Sequence, residues 1–339
     1  MANTAHAVPA PRLEVDTRWI RIRQRPVATL AIVLGVLILV VPEKTLATQL
    51  LVFGLFAMSF NMLLGYAGLL SFGHSTFFGL GAYGTALVLK WWHPHVLAAM
   101  AAGLVLASAT ALVIGWFCLR RRRVYFSMLT LAFNQMVYFI LFQARDITGG
   151  DDGLRGIPLP DFDIPFIGSI PIEGIHNPLS FYYFVLIVVV ACLLAIERIL
   201  ISPFGRALEA IRESEERARA CGYNSNRILL LAFVFAGLFA GVAGALYALF
   251  FGFIGLETLS WVTAGVVVMM AILGGVGTLV GPFVGAAIYL VLQDYVSKYT
   301  DSWQLYAGAI FVVCVLFFPR GVWGSLTGLL QSRWVRNRG

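Results

Sequence analysis

Charge is what this chain of 339 residues has least of: 12% of it is Asp, Glu, Lys or Arg, while 60% is hydrophobic. Soluble globular domains run about half apolar and a quarter charged, so a soluble fold would lack the polar shell it needs. Lysine is scarcer still, with Lys44, Lys90 and Lys298 alone. None of them stands in a Gly-x-x-x-x-Gly-Lys-[Ser/Thr] loop, which excludes that phosphate cradle and with it an ATP site of the P-loop kind. The four cysteines, Cys118, Cys192, Cys221 and Cys314, show no Cys-x-x-Cys spacing. Three lie in or beside apolar runs, and they read as small apolar residues rather than a disulfide framework or metal site. No acid or base falls firmly inside an apolar run, whereas proton-coupled carriers and voltage sensors depend on buried charge. No cluster of His, Asp, Ser or Cys suggests an enzyme, and no metal or cofactor is expected.

What is there is apolar sequence in repeated runs, at about 20 residues per bilayer crossing. Ten spans are expected, over 27–42, 46–64, 71–89, 96–118, 124–142, 179–196, 228–251, 262–275, 280–296 and 304–318. The basic residues decide the orientation, although a net charge of +7 might first suggest nucleic acid. With the N-terminus inside, the inner segments collect Arg12 to Arg25, Arg120 to Arg123, six arginines of residues 197–227, and Arg320, Arg333, Arg336 and Arg338. That is nineteen of the 24 basic residues; Lys44, Lys90, Arg145, Arg155 and Lys298 fall outside. The bias predicts N-in and C-in. The first run follows an arginine-rich stretch without a good small-residue cleavage site, so it reads as a retained span. The organisation expected is a cytoplasmic arm (1–26), a membrane-spanning bundle (27–318) and a cytoplasmic tail (319–339).

Two apolar stretches, 46–89 and 261–296, lack a polar turn, and each is either two spans or one re-entrant pair that returns the chain to the outer side. Their breaks are GYAGLLSFGH at 65–74 and GGVGTLVGP at 274–282, and both contain Leu-Gly-x-x-Gly-x-Leu, from Leu64 and from Leu273. Irregular backbone at membrane depth is tolerated where it is buried in protein or lines a wet cavity, and glycine-broken segments mark transporter paths. The same glycines also form small-xxx-small faces, as Gly237 and Gly241 do; both readings stay open. Candidate path residues are Asn61, Gly65, Gly68, His74, Gln135, Gly274 and Gly277, with Asn134 a further polar residue at depth. Helix packing alone would also satisfy His74.

The longest outer loop, 143–178, holds six acids and enough glycine and proline to be ordered without helix. Its Gly-Gly-Asp-Asp string lacks ligand spacing. Asp151, Asp152 and Arg155 are candidates for docking a partner.

Residues 197–227 break the pattern with eleven charged side chains. Ser202-Pro203 reads as an N-cap followed by proline at the first helical position, and Gly222 as the stop. A helix of roughly 28 Å is expected between them, with Ala207, Ile211, Ser214, Ala218 and Cys221 on one face. Arg206, Glu209, Glu213, Glu216 and Arg219 would mostly point elsewhere, and the candidates for coupling to a partner are Arg206, Glu209, Arg212, Glu213, Glu216, Ala218 and Gly222. Either the charged side docks a partner or the segment is a solvated connector.

Taken together, residues 65–87, 125–140, 147–158, 202–224, 236–248, 272–288 and 317–324 resemble the permease subunits of bacterial ATP-binding-cassette importers for branched-chain amino acids, in particular the M-type of two paired permeases. The resemblance covers about residues 25 to 325. In that family a cytoplasmic Glu-Ala-Ala-x-x-x-Gly pattern fits the ATPase; Glu216, Ala218 and Gly222 match its first, third and seventh positions, while Arg217 replaces an alanine. The resemblance implies a non-catalytic subunit of the inner membrane. Its implied partners are a homologous permease, two ATPases, a periplasmic solute-binding protein and the lipid bilayer, with no nucleic acid. The contrasting expectation is a self-contained carrier or channel for a small polar solute.

Overall fold

The computed structural model describes residues 26–40, 43–92, 95–121, 124–158, 162–164, 168–170, 178–300, 302–318 and 321–325. The arginines of the arm and the tail, and Arg122, Arg123 and Arg320, lie outside the described residues. The apolar runs fold as α1 (Pro26–Val40), α2 (Lys44–Asn61), α3 (His74–Trp91), α4 (Val96–Cys118) and α5 (Val124–Gln143). They continue as α6 (Pro178–Ile201), then α7 (Pro203–Glu213) and α8 (Glu215–Ala220) in the charged island. The remainder comprises α9 (Ser225–Phe251), α10 (Trp261–Gly274), α11 (Gly281–Ser297) and α12 (Trp303–Phe317). Among the described residues, six helical stretches are long and apolar enough to cross a membrane. With the apolar residues so abundant, the chain is an all-α, multi-pass membrane protein.

Burial sorts the helices. The span that begins with α2 is 83% buried inside the protein, that of α9 67%, and that of α6 22%. α2 and α9, with the equally buried α3 (His74–Trp91), are therefore the centre of the bundle. Close approach of α3, α4 and α9 depends on glycine: a Cβ at Gly81 would lie 2.6 Å from the Gly241 Cα, and one at Gly84 2.9 Å from the Gly103 Cα. Aromatic rings fill the α2–α3–α9 seam, with Phe56 and Phe78 at 4.4 Å and Phe78 and Tyr247 at 5.4 Å between centroids.

The bundle has two chemically distinct ends. At one, Lys298 is 3.6 Å from Glu43 and 2.8 Å from Asp294, and Lys90 donates to the Arg155 carbonyl at 3.2 Å. The hydrogen bond to Asp294, with the Glu43 carboxylate near, holds the exposed Lys298 ammonium above its ordinary pKa. At the other end sit Arg120, Arg121 and the charged island.

One open alternative narrows and two expectations need correction. First, of the two readings of 261–296, the re-entrant one fits, because the helix there is short. Ile254 pairs with Leu154 in an isolated bridge, Tyr83 donates to the Ile254 carbonyl at 3.4 Å, and Ser75 donates to the Leu259 carbonyl at 3.2 Å. Eight residues of α3 separate Tyr83 from Ser75, about 12 Å of helix. Residues 254–259 therefore descend beside α3, and α10 starts partway down the bundle with 14 residues. Second, residues 202–222 do not form one helix. Ser214 is extended (φ −160°, ψ 107°) between α7 and α8, and its hydroxyl accepts from the Arg217 amide at 3.4 Å. Serine offers the chain a local cap in place of a helical turn, and here the cap wins. Third, the outer loop is not free of helix: Arg145–Thr148 is one α-turn and Gly150–Asp152 a 3₁₀ turn. Beyond them β1 (Phe162–Ile164) and β2 (Gly168–Ile170) pair antiparallel, with Asp163 opposite Ser169.

Candidate functional site

The two Leu-Gly-x-x-Gly-x-Leu breaks meet. α2 passes into a π-helical turn over Met62–Ala67 and stops at Gly68. The second break joins α10 to α11. In both copies the second glycine is left-handed, with φ of 70° at Gly68 and 81° at Gly277. A side chain would strain either position by about 1–2 kcal/mol. A Cβ at Gly65 would lie 2.6 Å from the Gly277 amide nitrogen.

Asn61 fastens the meeting point. Its Oδ1 accepts from the Gly277 amide at 2.8 Å, and its Nδ2 donates to the Thr278 carbonyl at 2.8 Å. The side chain is fully buried, so each of these backbone groups would cost about 1–3 kcal/mol if left unpaired. One turn on, the Gly65 carbonyl accepts from the Arg212 guanidinium of α7. A Cβ at Gly68 would sit 3.1 Å from the Arg212 Cγ. Arg212, expected on the partner-facing side of the island, thus joins the candidate path residues Asn61, Gly65, Gly68 and Gly277.

α7 is seated by its apolar face, where Gly205, Ala207, Leu208 and Ile211 are buried. Phe204 meets Phe235 of α9 edge-on, with centroids 5.9 Å apart. The opposite face exposes Arg206, Glu209 and Glu213. The first half of the expected stripe is buried, as is Ala218 in α8, while Cys221 is exposed. Pro203 opens α7 as expected, but the Ser202 hydroxyl donates back to the Ile199 carbonyl at 2.6 Å instead of capping. Glu216 is exposed on α8, and Gly222, with φ 89°, lies in open space.

The remaining candidates separate. His74 is fully buried and stacked on Phe56 at 5.6 Å, with Phe60 and Phe77 edge-on. Ser59 donates to the Phe56 carbonyl at 2.7 Å and lies 2.9 Å from the His74 Nε2. That makes Nε2 the donor and fits a helix-packing role. Gly274 packs directly on Gly281, and Gly285 on the Met270 carbonyl, so these glycines close the α10–α11 hairpin. Gln135 is half-buried on α5. At the lysine end Asp151, Asp152 and Arg155 are exposed, and the Arg155 guanidinium lies 5.5 Å from the Phe253 ring centroid.

Sequence reasoning undervalued Asn134. Its Nδ2 lies 2.7 Å from Ser75 Oγ, 2.9 Å from Thr76 Oγ1 and 3.0 Å from the Leu259 carbonyl, tying α5 and the descending segment to the start of α3. Its polarity within an apolar run was the available clue.

The arrangement, a broken-helix core with a charged handle at one end, defines a transport permease. Residues 44–319 match the family model described as branched-chain amino acid transport system / permease component. The chain belongs to that family. It is similar to the high-affinity branched-chain amino acid transport system permease protein LivM of Escherichia coli strain K12, 29% identical over 82% of this chain and 69% of the relative. LivM of Salmonella typhimurium is 28% identical over the same shares. LivH of Salmonella typhimurium is 26% identical over 80% of this chain and 91% of its own length. No solved structure matches.

Proposed function

We propose that this chain is the M-type permease of an ATP-driven importer of branched-chain amino acids or related small solutes in a bacterial inner membrane. In this reading it crosses the bilayer with both termini cytoplasmic, and α1 to α6, α9, α10, α11 and α12 correspond to the ten apolar runs. The re-entrant start of α10 leaves the outside-to-outside course of residues 254–298 intact. A homologous permease completes the pathway, two ATPases bind the arginine end, and a periplasmic binding protein meets the lysine end around Asp151, Asp152 and Arg155. Names of the LivM and LivH relatives support the solute class and the pairing.

The observation that carries the mechanism is the Arg212 contact. ATP-driven closure of the ATPases moves α7 and α8 through Arg206, Glu209, Glu213, Glu216, Ala218 and Gly222. Arg212 passes that displacement to the Gly65 carbonyl, and Asn61 passes it to the second break. The two breaks then part or rejoin as a two-state gate. This division of labour needs no buried charge in the bundle.

The test replaces Glu216 and Gly222 with arginine in the full chain. ATP-driven uptake in proteoliposomes with the partner subunits should collapse while membrane insertion persists. Normal uptake would remove the coupling claim, and uptake by this chain alone would favour a self-contained carrier.

A further inference from the structure

A cavity of about 310 Å³ lies between the arginine ends of α4 and α9, away from the two breaks. Its polar lining is Arg120, Asn224, Asn226 and Arg227, and its apolar lining includes Trp116 and Leu230. The Arg120 guanidinium sits 4.1 Å over the Trp116 ring centroid, which holds the cation at the mouth. Among the described residues, no carboxylate lies within ion-pair distance of Arg120 or Arg227. The Asn224 Oδ1 accepts from the Arg227 amide at 3.3 Å, leaving its Nδ2 hydrogens for a ligand.

The flank of the cavity is apolar and uncovered. Val113 is 53% exposed, Trp116 52% and Leu231 50%. A free anion has no use for such a wall; a molecule with a phosphate at one end and hydrocarbon at the other does. Tryptophan beside arginine is also what the headgroup level of a bilayer selects, and basic pockets between helices at that level take anionic headgroups. Guanidinium groups present paired donors suited to phosphate oxygens.

We propose that this cavity binds the phosphodiester of an anionic glycerophospholipid, with its acyl chains lying along α4 and α9. The site is separate from the gate and does not depend on which solute is carried.

Native mass spectrometry of the full-length protein in detergent tests it, with phosphatidylglycerol, phosphatidylcholine or inorganic phosphate added in turn. Retention of phosphatidylglycerol over phosphatidylcholine is expected, falling about tenfold in R120Q/R227Q, the order set by losing two surface cations. The charge-conserving R120K/R227K protein should keep most of it, which guards against a misfolded double variant. Displacement of the lipid by millimolar phosphate would confirm the phosphate chemistry but assign the site to a soluble anion. Equal retention by the native and R120Q/R227Q proteins, or no preference between the two lipids, would overturn the proposal.

Discussion

The two breaks share a spelling and a left-handed second glycine, yet they are tethered differently. The first, at 64–70, extends the heavily buried α2 through a π turn and is gripped from outside by Arg212. The second, at 273–279, is closed on itself by the Gly274–Gly281 contact, is fastened to α2 by Asn61, and packs at Gly275 against the Gly321 backbone. In the proposed coupling, one would be the point of entry for force and the other would follow. Identical local sequence therefore does not mean identical duty; what surrounds each glycine decides it.

Gly65→Val should break the pair most completely, because its side chain meets the Gly277 backbone, which cannot rotate away. Uptake should fall about a hundredfold or more, with several kcal/mol lost from stability in a thermal-unfolding assay, on the order of other overpacked sites. Asn61→Ala should come next. Two buried backbone groups lose their partner, so about 2 kcal/mol of stability and at least tenfold in uptake are expected to go. Arg212→Ala separates entry from following. Stability should move by less than about 1 kcal/mol, since the side chain is largely exposed, while ATP-driven uptake drops severalfold and Arg212→Lys recovers part of it. A large loss of stability with unchanged uptake would reverse that assignment. Gly277→Ala has only backbone strain to contend with, about 1 kcal/mol. Lys298→Ala, at the far end, should leave thermal unfolding and uptake unchanged. If Gly277→Ala proved as damaging as Gly65→Val, the distinction between the breaks would fail.

Much of this was legible from residue order. Apolar run lengths located the helices to within a few residues, because a bilayer sets both length and composition. The breaks announced themselves by glycine, and the island by charge. Less legible was anything that depended on packing between distant segments. The contacts of Asn61 with Gly277 and Thr278 join positions more than 200 residues apart, and nothing in either stretch specifies the other. The start of α10 partway down the bundle was one of two open readings of 261–296, because two full spans and a re-entrant pair return the chain to the same side. Arg212 was placed with the partner-facing side chains because periodicity ranks faces by polarity, and a long side chain can fold back from a polar face. Serine at 214 was taken as part of a stripe, although its liking for local caps is a known alternative.

That single extended residue between α7 and α8 has a mechanical consequence. A joint of one residue passes thrust from rod to rod but little bending moment, as a universal joint does in a drive shaft. In the proposed coupling, whatever seizes the outer rod would deliver to the glycines the component of its travel along Pro203–Glu213.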